Sequence, residues 1–119
     1  MEINLNSDLG EKSFYYDGRN DQDLMQKINT ANIACGFHAG DKETMNSTIK
    51  LAKENNVSIG AHPGFNDKKN FGRKRINLSE KEIKKLVIDQ INILNEIANI
   101  ENMKLTHVKP HGALNNMAF

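Results

Sequence analysis

The 119-residue sequence predicts an α/β fold in which parallel strands alternate with helices. Short apolar runs alternate with segments whose apolar residues recur every three to four positions, and four such runs can be recognised. Each run is followed at once by polar, titratable residues, as expected where parallel strands end at one edge of a sheet. These features favour about four βα units that form part of a larger sheet or barrel.

The first two βα units are predicted between residues 2 and 54. Ile3 and Leu5 alternate with polar residues over 2–6, which indicates a short strand. A short helix is predicted at 21–29 and a second strand at 31–35. Asp41 is a suitable N-cap for a helix that continues to about residue 54.

The third unit contains the most strongly patterned helix of the chain. A strand is predicted at 57–59, followed by a long loop at 60–77, a length typical of functional or disordered segments. Ser79 and Glu82 have the spacing of a capping box. The apolar residues after them recur with helical period, which predicts a helix over 80–99.

The last unit begins with a strand predicted at 104–108, which Pro110 must end because proline cannot donate to a strand ladder. A further helix is expected to begin at Gly112. No linker or low-complexity tract interrupts the sequence, so residues 1–119 are expected to form a single, incomplete part of one domain. An unpaired strand edge would make the isolated chain oligomeric or loosely packed.

Composition excludes several classes of function. The net charge is +1, which provides no broad basic field for nucleic acid or anionic membranes. The mean hydropathy is −0.62, and no apolar run approaches the length of a bilayer span. No signal peptide is recognisable, so a cytoplasmic location is expected. The one cysteine, Cys35, ends an apolar run and is expected to be a small buried hydrophobe.

Titratable side chains follow every predicted strand, and all four histidines lie at or near strand ends. The residues concerned are Asp8 and Glu11, His38 and Asp41, His62, and finally His107, Lys109 and His111. Because loops at the carboxyl ends of parallel strands converge, we expect a common site there. We predict that Asp8, His38, His62, Lys109 and His111 line one pocket, with their functional atoms within about 10–12 Å of a common centre.

Two segments repeat the pattern G-x-H-x-G directly after a short apolar run. They are Gly36–Gly40 and Gly60–Gly64. Glycine allows positive φ and close backbone approach, so each pattern can present its histidine to a pocket. A glycine-punctuated loop with a surface histidine is the alternative interpretation of a single copy.

The roles of individual residues remain open at this point. Asp8 and Glu11 are either solvated carboxylates or a base or metal ligand, and a divalent ion would have Asp8, His38 and His62 as candidate ligands. Asp41 is either a helix cap alone or a cap that also faces the pocket. Arg73 belongs to a basic stretch of the long loop, which is either solvated or binds an anionic group.

Five segments of the chain, in this order, resemble motifs of the LamB/YcsF family, and the resemblance extends from Ile3 to the end. The segments are Asn6–Glu11, Ala31–Asp41, Gly60–Gly64, Phe71–Arg73 and Val108–Leu114. The resemblance implies a seven-stranded (β/α) barrel related to glycoside hydrolases and deacetylases. The chain would be the N-terminal portion of such a barrel.

The resemblance also implies an activity, namely ATP-dependent 5-oxoprolinase, which opens 5-oxo-L-proline to L-glutamate together with two other subunits, B and C. It implies catalytic roles for Asp8, His38, His62, Lys109 and His111, and substrate contacts for Glu11, Asp41 and Arg73. No G-x-x-x-x-G-K-[ST] loop is present, so ATP would be held by another geometry or by a partner.

Two alternatives stand beside this activity. One is a metal-dependent hydrolase of the deacetylase type that acts on a carbohydrate or an amide without ATP. The other is a half-barrel that is not catalytic and assembles only with a partner.

Overall fold

The computed structural model describes residues 3–118 and contains a parallel sheet of four strands in the order β1-β2-β3-β4. The strands are β1 (Asn6–Leu9), β2 (Thr30–Ala34), β3 (Ser58–His62) and β4 (Leu105–Val108). The helices are α1 (Asp21–Met25), α2 (Lys42–Glu54), α3 (Glu80–Ile100) and α4 (Gly112–Ala118). The predicted alternation of strands and helices is therefore observed along the whole described chain.

The first strand lies further along the chain than the prediction. Ile3 and Leu5 are 69% and 53% exposed, whereas Leu9 is fully buried at the end of β1. Pairing with β2 begins only at Asn6, opposite Thr30. The prediction of a strand at 2–6 was wrong over residues 3–5, because the exposed Ile3 and Leu5 alternate with polar residues in the same way as a half-buried strand does; residue 2 lies outside the described residues.

Two other boundaries differ from the prediction. α1 ends at Met25 instead of residue 29, because the backbone N–H of Asn29 already bonds the Leu5 carbonyl beside β1. β3 continues to His62, which pairs with Ala34, so the residues predicted to open the long loop belong to the strand. This difference matters for the site, because His62 is held by a strand and not by a flexible loop.

The two faces of the sheet have different chemistry. Leu9, Ile33 and Ala61 occupy neighbouring register positions and are buried under the helices. Because side chains alternate along a strand, the opposite face carries Asn6, Asp8, Asn32 and His62. We call this opposite side the polar face. The helices contribute further residues to the apolar core, namely Met45, Ile49, Ala52, Leu94 and Ala98.

The caps predicted for the two long helices are confirmed. The Asp41 carboxylate accepts a hydrogen bond from the Thr44 N–H at 2.7 Å and begins α2. Ser79 and Glu82 exchange both hydrogen bonds of a capping box at the start of α3. Within residues 3–118, no helix combines the length and apolar character needed to cross a membrane.

The loop between β3 and α3 is fixed to the rest of the fold by a buried glutamine. Gln90 of α3 accepts a hydrogen bond from the Gly64 N–H at 3.1 Å and donates one to the Gly64 carbonyl at 2.8 Å. Phe65 beside it is fully buried in a small second core with Leu114. The loop therefore reaches α4, and its later residues lie over the carboxyl ends of the strands.

Candidate functional site

Three imidazoles and one carboxylate meet at the carboxyl ends of the strands. They belong to Glu11, His38, His62 and His111, and one ligand atom of each lies within 4.8 Å of all the others. His62 Nε2 is 3.1 Å from His111 Nδ1, and Glu11 Oε2 is 2.7 Å from His38 Nε2. We call these four residues the imidazole cluster. It brings together groups that are up to 100 residues apart along the chain.

Main-chain carbonyls orient two of the imidazoles. His62 Nδ1 donates to the carbonyl of Lys109 at 2.6 Å, just after β4. His111 Nε2 donates to the carbonyl of Phe71 at 2.7 Å, in the loop before α3. A carbonyl oxygen can only accept, so each bond fixes the ring nitrogen that carries the proton. The remaining nitrogens, His62 Nε2 and His111 Nδ1, face the centre of the cluster.

His38 lies deepest in the cluster and packs against glycines. Its ring is stacked on that of His111, with centroids 3.8 Å apart, and it meets the ring of His62 edge-on at 5.4 Å. A Cβ atom at Gly64 would lie 2.6 Å from His38 Nδ1, and one at Gly72 would lie 2.7 Å from the His38 Cβ. The space for this buried ring therefore exists only because both positions lack a side chain.

Asp8 forms the wall of the site on the polar face. Its Oδ1 accepts hydrogen bonds from Lys109 Nζ at 2.9 Å and from Asn32 Nδ2 at 3.1 Å. Its other oxygen, Oδ2, is 3.6 Å from His62 Nε2. The Asn32 amide oxygen is in turn 2.6 Å from His107 Nε2, so this histidine is linked to the site through Asn32.

Burial shifts the acid–base properties of the histidines toward their neutral forms. It lowers the pKa of His38 and the pKa of His62 to about 4. Burial also lowers the pKa of His111, and the nearby His38 lowers it further. All three rings are therefore uncharged near pH 7 and can accept protons.

The two carboxylates respond in opposite directions. Burial raises the pKa of Glu11, and the neighbouring histidines offset only part of this effect. Burial alone would also raise the pKa of Asp8, but charge on His62 and hydrogen bonds from Lys109 and Asn32 together lower it. Since His62 is neutral above a pKa of about 4, Lys109 is the cation that keeps Asp8 ionised at neutral pH.

The structure brings together the five side chains predicted to line one pocket. Asp8, His38, His62, Lys109 and His111 are connected by the contacts given above. Glu11, predicted as a substrate contact, lies at the centre of the cluster. Asp41 is exposed, and its carboxylate caps α2 without contacting the cluster in the described part of the chain.

Arg73 lies at the entrance to the cluster. Its guanidinium is 5.2 Å from the centre of the Phe71 ring. A cleft of about 590 Å³ lies in front of it, lined by Glu11, Ser13, Tyr15, Tyr16, Asn70, Phe71 and Arg73. Arg73 and Glu11, which supplies the carboxylate of the imidazole cluster, therefore line the same cleft.

Three residues that form or support the site were not predicted from the sequence. Phe71 packs edge-on against the rings of His38 and His111, and its carbonyl orients the latter. Asn32 interrupts the apolar run of β2, and a polar residue inside such a run was a signal for a role on the opposite face. Gln90 interrupts the apolar stripe of α3 in the same way.

The cysteine is buried as the sequence predicted. Cys35 lies in the apolar core at the end of β2, and burial raises the pKa of its thiol to about 12. A thiol of this kind stays protonated near pH 7 and is a poor nucleophile. Cys35 therefore contributes to packing and not to the chemistry of the cluster.

Comparison with known proteins gives consistent matches. Residues 3–119 match the LamB/YcsF family. The chain is 51% identical over 117 residues to the 5-oxoprolinase A subunit of Staphylococcus carnosus, covering 98% of the chain and 46% of that protein. It is 49% identical over 116 residues to the protein of the same name from Natranaerobius thermophilus, covering 98% of the chain and 45% of that protein.

One crystal structure has a fold similar to that of this chain. The lactam utilization protein from Thermus thermophilus has a TM-score of 0.90 and 40% sequence identity with this chain. The match covers 95% of the chain and 46% of that protein, so the chain spans about half the length of the relatives it matches. The predicted fold, four βα units corresponding to part of a (β/α) barrel, is confirmed. The chain belongs to the LamB/YcsF family.

Proposed function

We propose that this chain supplies the lactam-opening site of an ATP-dependent 5-oxoprolinase, which converts 5-oxo-L-proline to L-glutamate. The imidazole cluster carries the proposal, in a chain about half identical to proteins named as the A subunit of 5-oxoprolinase. Uncharged, buried imidazoles beside an ionised aspartate are suited to proton transfer during cleavage of an amide.

The reaction needs both activation of the lactam and proton transfer. Transfer of the γ-phosphoryl group of ATP to the lactam oxygen releases ADP and makes the ring carbonyl carbon more electrophilic. Water then adds to this carbon, the ring C–N bond breaks, and the nitrogen takes up a proton. A second water displaces phosphate and leaves the new carboxylate of glutamate.

The residues of the site have distinct tasks in this scheme. His62 or His111 takes the proton from the attacking water and passes it to the ring nitrogen of the lactam, since the central nitrogen of each uncharged imidazole has a free lone pair. Asp8, held ionised by Lys109, orients the water. His38 fixes the Glu11 carboxylate through the contact of 2.7 Å.

Recognition of the substrate carboxylate is assigned to Arg73. Its guanidinium lines the cleft in front of Glu11, whereas the ammonium of Lys109 is already paired with Asp8. A charge-assisted hydrogen bond of this kind contributes about 1.5–3 kcal/mol to binding. We expect Arg73→Ala to raise KM for 5-oxoproline by about 10- to 150-fold, with a smaller effect on kcat.

ATP and the two partner subunits B and C belong to the same proposal. The relatives of about 50% identity are named as an A subunit, which supports assembly with further subunits and binding of ATP within that assembly. A cytoplasmic location follows from the proposed use of ATP.

The test is reconstitution of the chain with its two partner subunits, followed by measurement of glutamate and phosphate. We expect no glutamate from the chain alone and equal amounts of glutamate and phosphate from the assembly with ATP. His62→Gln should lower kcat by about 10²- to 10⁴-fold. Asp41→Asn is the matched control, because asparagine also caps helices and the side chain is outside the cluster.

Two results would contradict the proposal. Robust glutamate production by the isolated chain would remove the need for partners. Lactam or amide hydrolysis by the assembly without ATP would favour the metal-dependent hydrolase instead.

A further inference from the structure

Two nitrogen lone pairs face each other at the centre of the imidazole cluster. His62 donates its Nδ1 proton to the Lys109 carbonyl, and His111 donates its Nε2 proton to the Phe71 carbonyl. The neutral form of each ring then has only a lone pair at its other nitrogen. These two nitrogens, His62 Nε2 and His111 Nδ1, are 3.1 Å apart and cannot form a hydrogen bond with each other without an added proton.

A third acceptor points to the same place. Glu11 Oε2 lies 3.6 Å from His62 Nε2 and 3.5 Å from His111 Nδ1. Among residues 3–118, His38 Nδ1 is buried without a partner, so its ring proton is best placed on Nε2, where it is donated to Glu11. Glu11 therefore remains a carboxylate whose Oε2 turns toward the two imidazoles. Three electron pairs converge at the centre of the cluster.

The spacing of the three atoms fits a metal ion. For separations of 3.1, 3.5 and 3.6 Å, the circle through the three atoms has a radius of about 2.0 Å. Bonds from zinc to imidazole nitrogen or carboxylate oxygen are about 2.0–2.2 Å. An ion slightly above the plane of the three atoms would thus make three normal bonds without any movement of the ligands.

We propose that Glu11, His62 and His111 form a binding site for one divalent cation of the zinc class, with a further coordination position left open. Two imidazoles and one carboxylate favour Zn²⁺ over Mg²⁺, which prefers oxygen ligands. The hydrogen bonds from the outer nitrogens to main-chain carbonyls are those that commonly orient metal-binding histidines.

The ligand set differs from the candidates expected from the sequence, which were Asp8, His38 and His62. His38 Nε2 is only 2.7 Å from Glu11 Oε2, the length of a hydrogen bond and too short for two ligands of one zinc ion. His38 instead orients the carboxylate ligand. Asp8 Oδ2 is 3.6 Å from His62 Nε2 and lies beside the site, where it can accept a proton from a bound water.

The metal site goes beyond the proposed lactam function and does not depend on it; with the ion bound, Asp8 takes the place of His62 or His111 as the proton acceptor. The probe is the metal alone, so neither ATP, partner subunits nor 5-oxoproline enters the measurement. The chain is freed of metal with a chelator, and Zn²⁺ binding is measured by calorimetry at pH 7.5. Co²⁺ is titrated in parallel, because its visible absorption reports the number and geometry of its ligands.

We expect one ion per chain, Co²⁺ bands typical of four- or five-coordination, and no competition from excess Mg²⁺. His111→Gln should weaken Zn²⁺ binding by at least about 100-fold, and His38→Gln by about 10- to 100-fold through the carboxylate it orients. His107→Gln is the matched control, since it removes a histidine of β4 that is not a proposed ligand and reaches the site only through Asn32. It should leave Zn²⁺ affinity unchanged.

Glu11→Gln tests the site without removing bulk. Glutamine keeps an acceptor for the His38 proton but lacks the negative charge, so folding is retained and Zn²⁺ affinity should fall at least about 10-fold. Circular dichroism checks the fold of every variant. Absence of stoichiometric binding by the unsubstituted chain would overturn the proposal. Equal losses of affinity in His107→Gln and His111→Gln would also overturn it, because binding would then be adventitious.

Discussion

Acidification should destabilise this fold through the buried imidazoles, at a pH where ordinary carboxylates remain ionised. The pKa values of His38 and His62 fall from 6.5 to about 4 on folding, because burial disfavours their charged forms. Between these two values the unfolded chain binds more protons than the folded chain. The free energy of unfolding must therefore fall as the pH is lowered through this window.

The size of the effect follows from the two pKa values. A difference of about 2.5 in pKa corresponds to about 3.4 kcal/mol per histidine for the complete titration. Lowering the pH from 7.5 to 5 covers part of the window and removes about 2 kcal/mol per histidine. Glu11 acts in the opposite direction, because its raised pKa lets the folded state take up a proton first. We expect a net loss of about 2–4 kcal/mol.

Urea unfolding of the chain, followed by circular dichroism at several values between pH 7.5 and 5, measures this loss. His38→Gln removes one of the buried titrating histidines, so the slope of the free energy of unfolding against pH should be shallower by up to about 1.4 kcal/mol per pH unit. NMR titration should also find that the buried rings do not protonate above pH 5. A free energy of unfolding that stays constant from pH 7.5 to 5 would refute this reasoning, as would equal slopes for the chain and the variant.

Three further substitutions test how the site is held together. Gly64→Ala would place its Cβ 2.6 Å from His38 Nδ1, so we expect about 1–3 kcal/mol of destabilisation in urea unfolding; an unchanged midpoint would mean that the ring has room to move. Gln90→Leu would leave the buried Gly64 N–H and carbonyl without partners, which should cost about 1–3 kcal/mol per group and speed hydrogen exchange in the loop before α3. Lys109→Met would remove the ammonium that keeps Asp8 ionised, so carboxyl NMR titration should find a higher pKa for Asp8; an unchanged value would assign that effect to Asn32.

Most of the fold was predictable because its signals are local. The capping box of α3 and the Asp41 cap of α2 depend on side chains three residues from the N–H groups they bind. β1 was misplaced because burial of a short strand depends on neighbours that are distant in sequence. Leu9 is buried in the core beside β2, whereas Ile3 and Leu5 are exposed.

Most of the residues that meet at the site could be predicted from the sequence, but the distances and hydrogen bonds between them could not. Topology alone brings residues after β1, β2, β3 and β4 to one edge, which is why the histidines could be grouped in advance. The position of the loop carrying Phe71 depends on Gln90, 19 residues later, and on contact between Gly72 and Gly112. Sequence pattern and spacing do not report such long-range contacts. The hydrogen bond from His111 to the Phe71 carbonyl could therefore be identified only from the structure.

The carbonyls that hold His62 and His111 have a consequence for how this region can vary. Every amino acid has a main-chain carbonyl, so the orientation of the two rings depends on the path of the backbone at positions 71 and 109, whereas the Phe71 ring and the Lys109 ammonium act through their side chains. An insertion or deletion of one residue beside either position would instead move the carbonyl by several ångströms and release the ring. The length of the two segments should therefore vary little, because it sets the positions of both carbonyls.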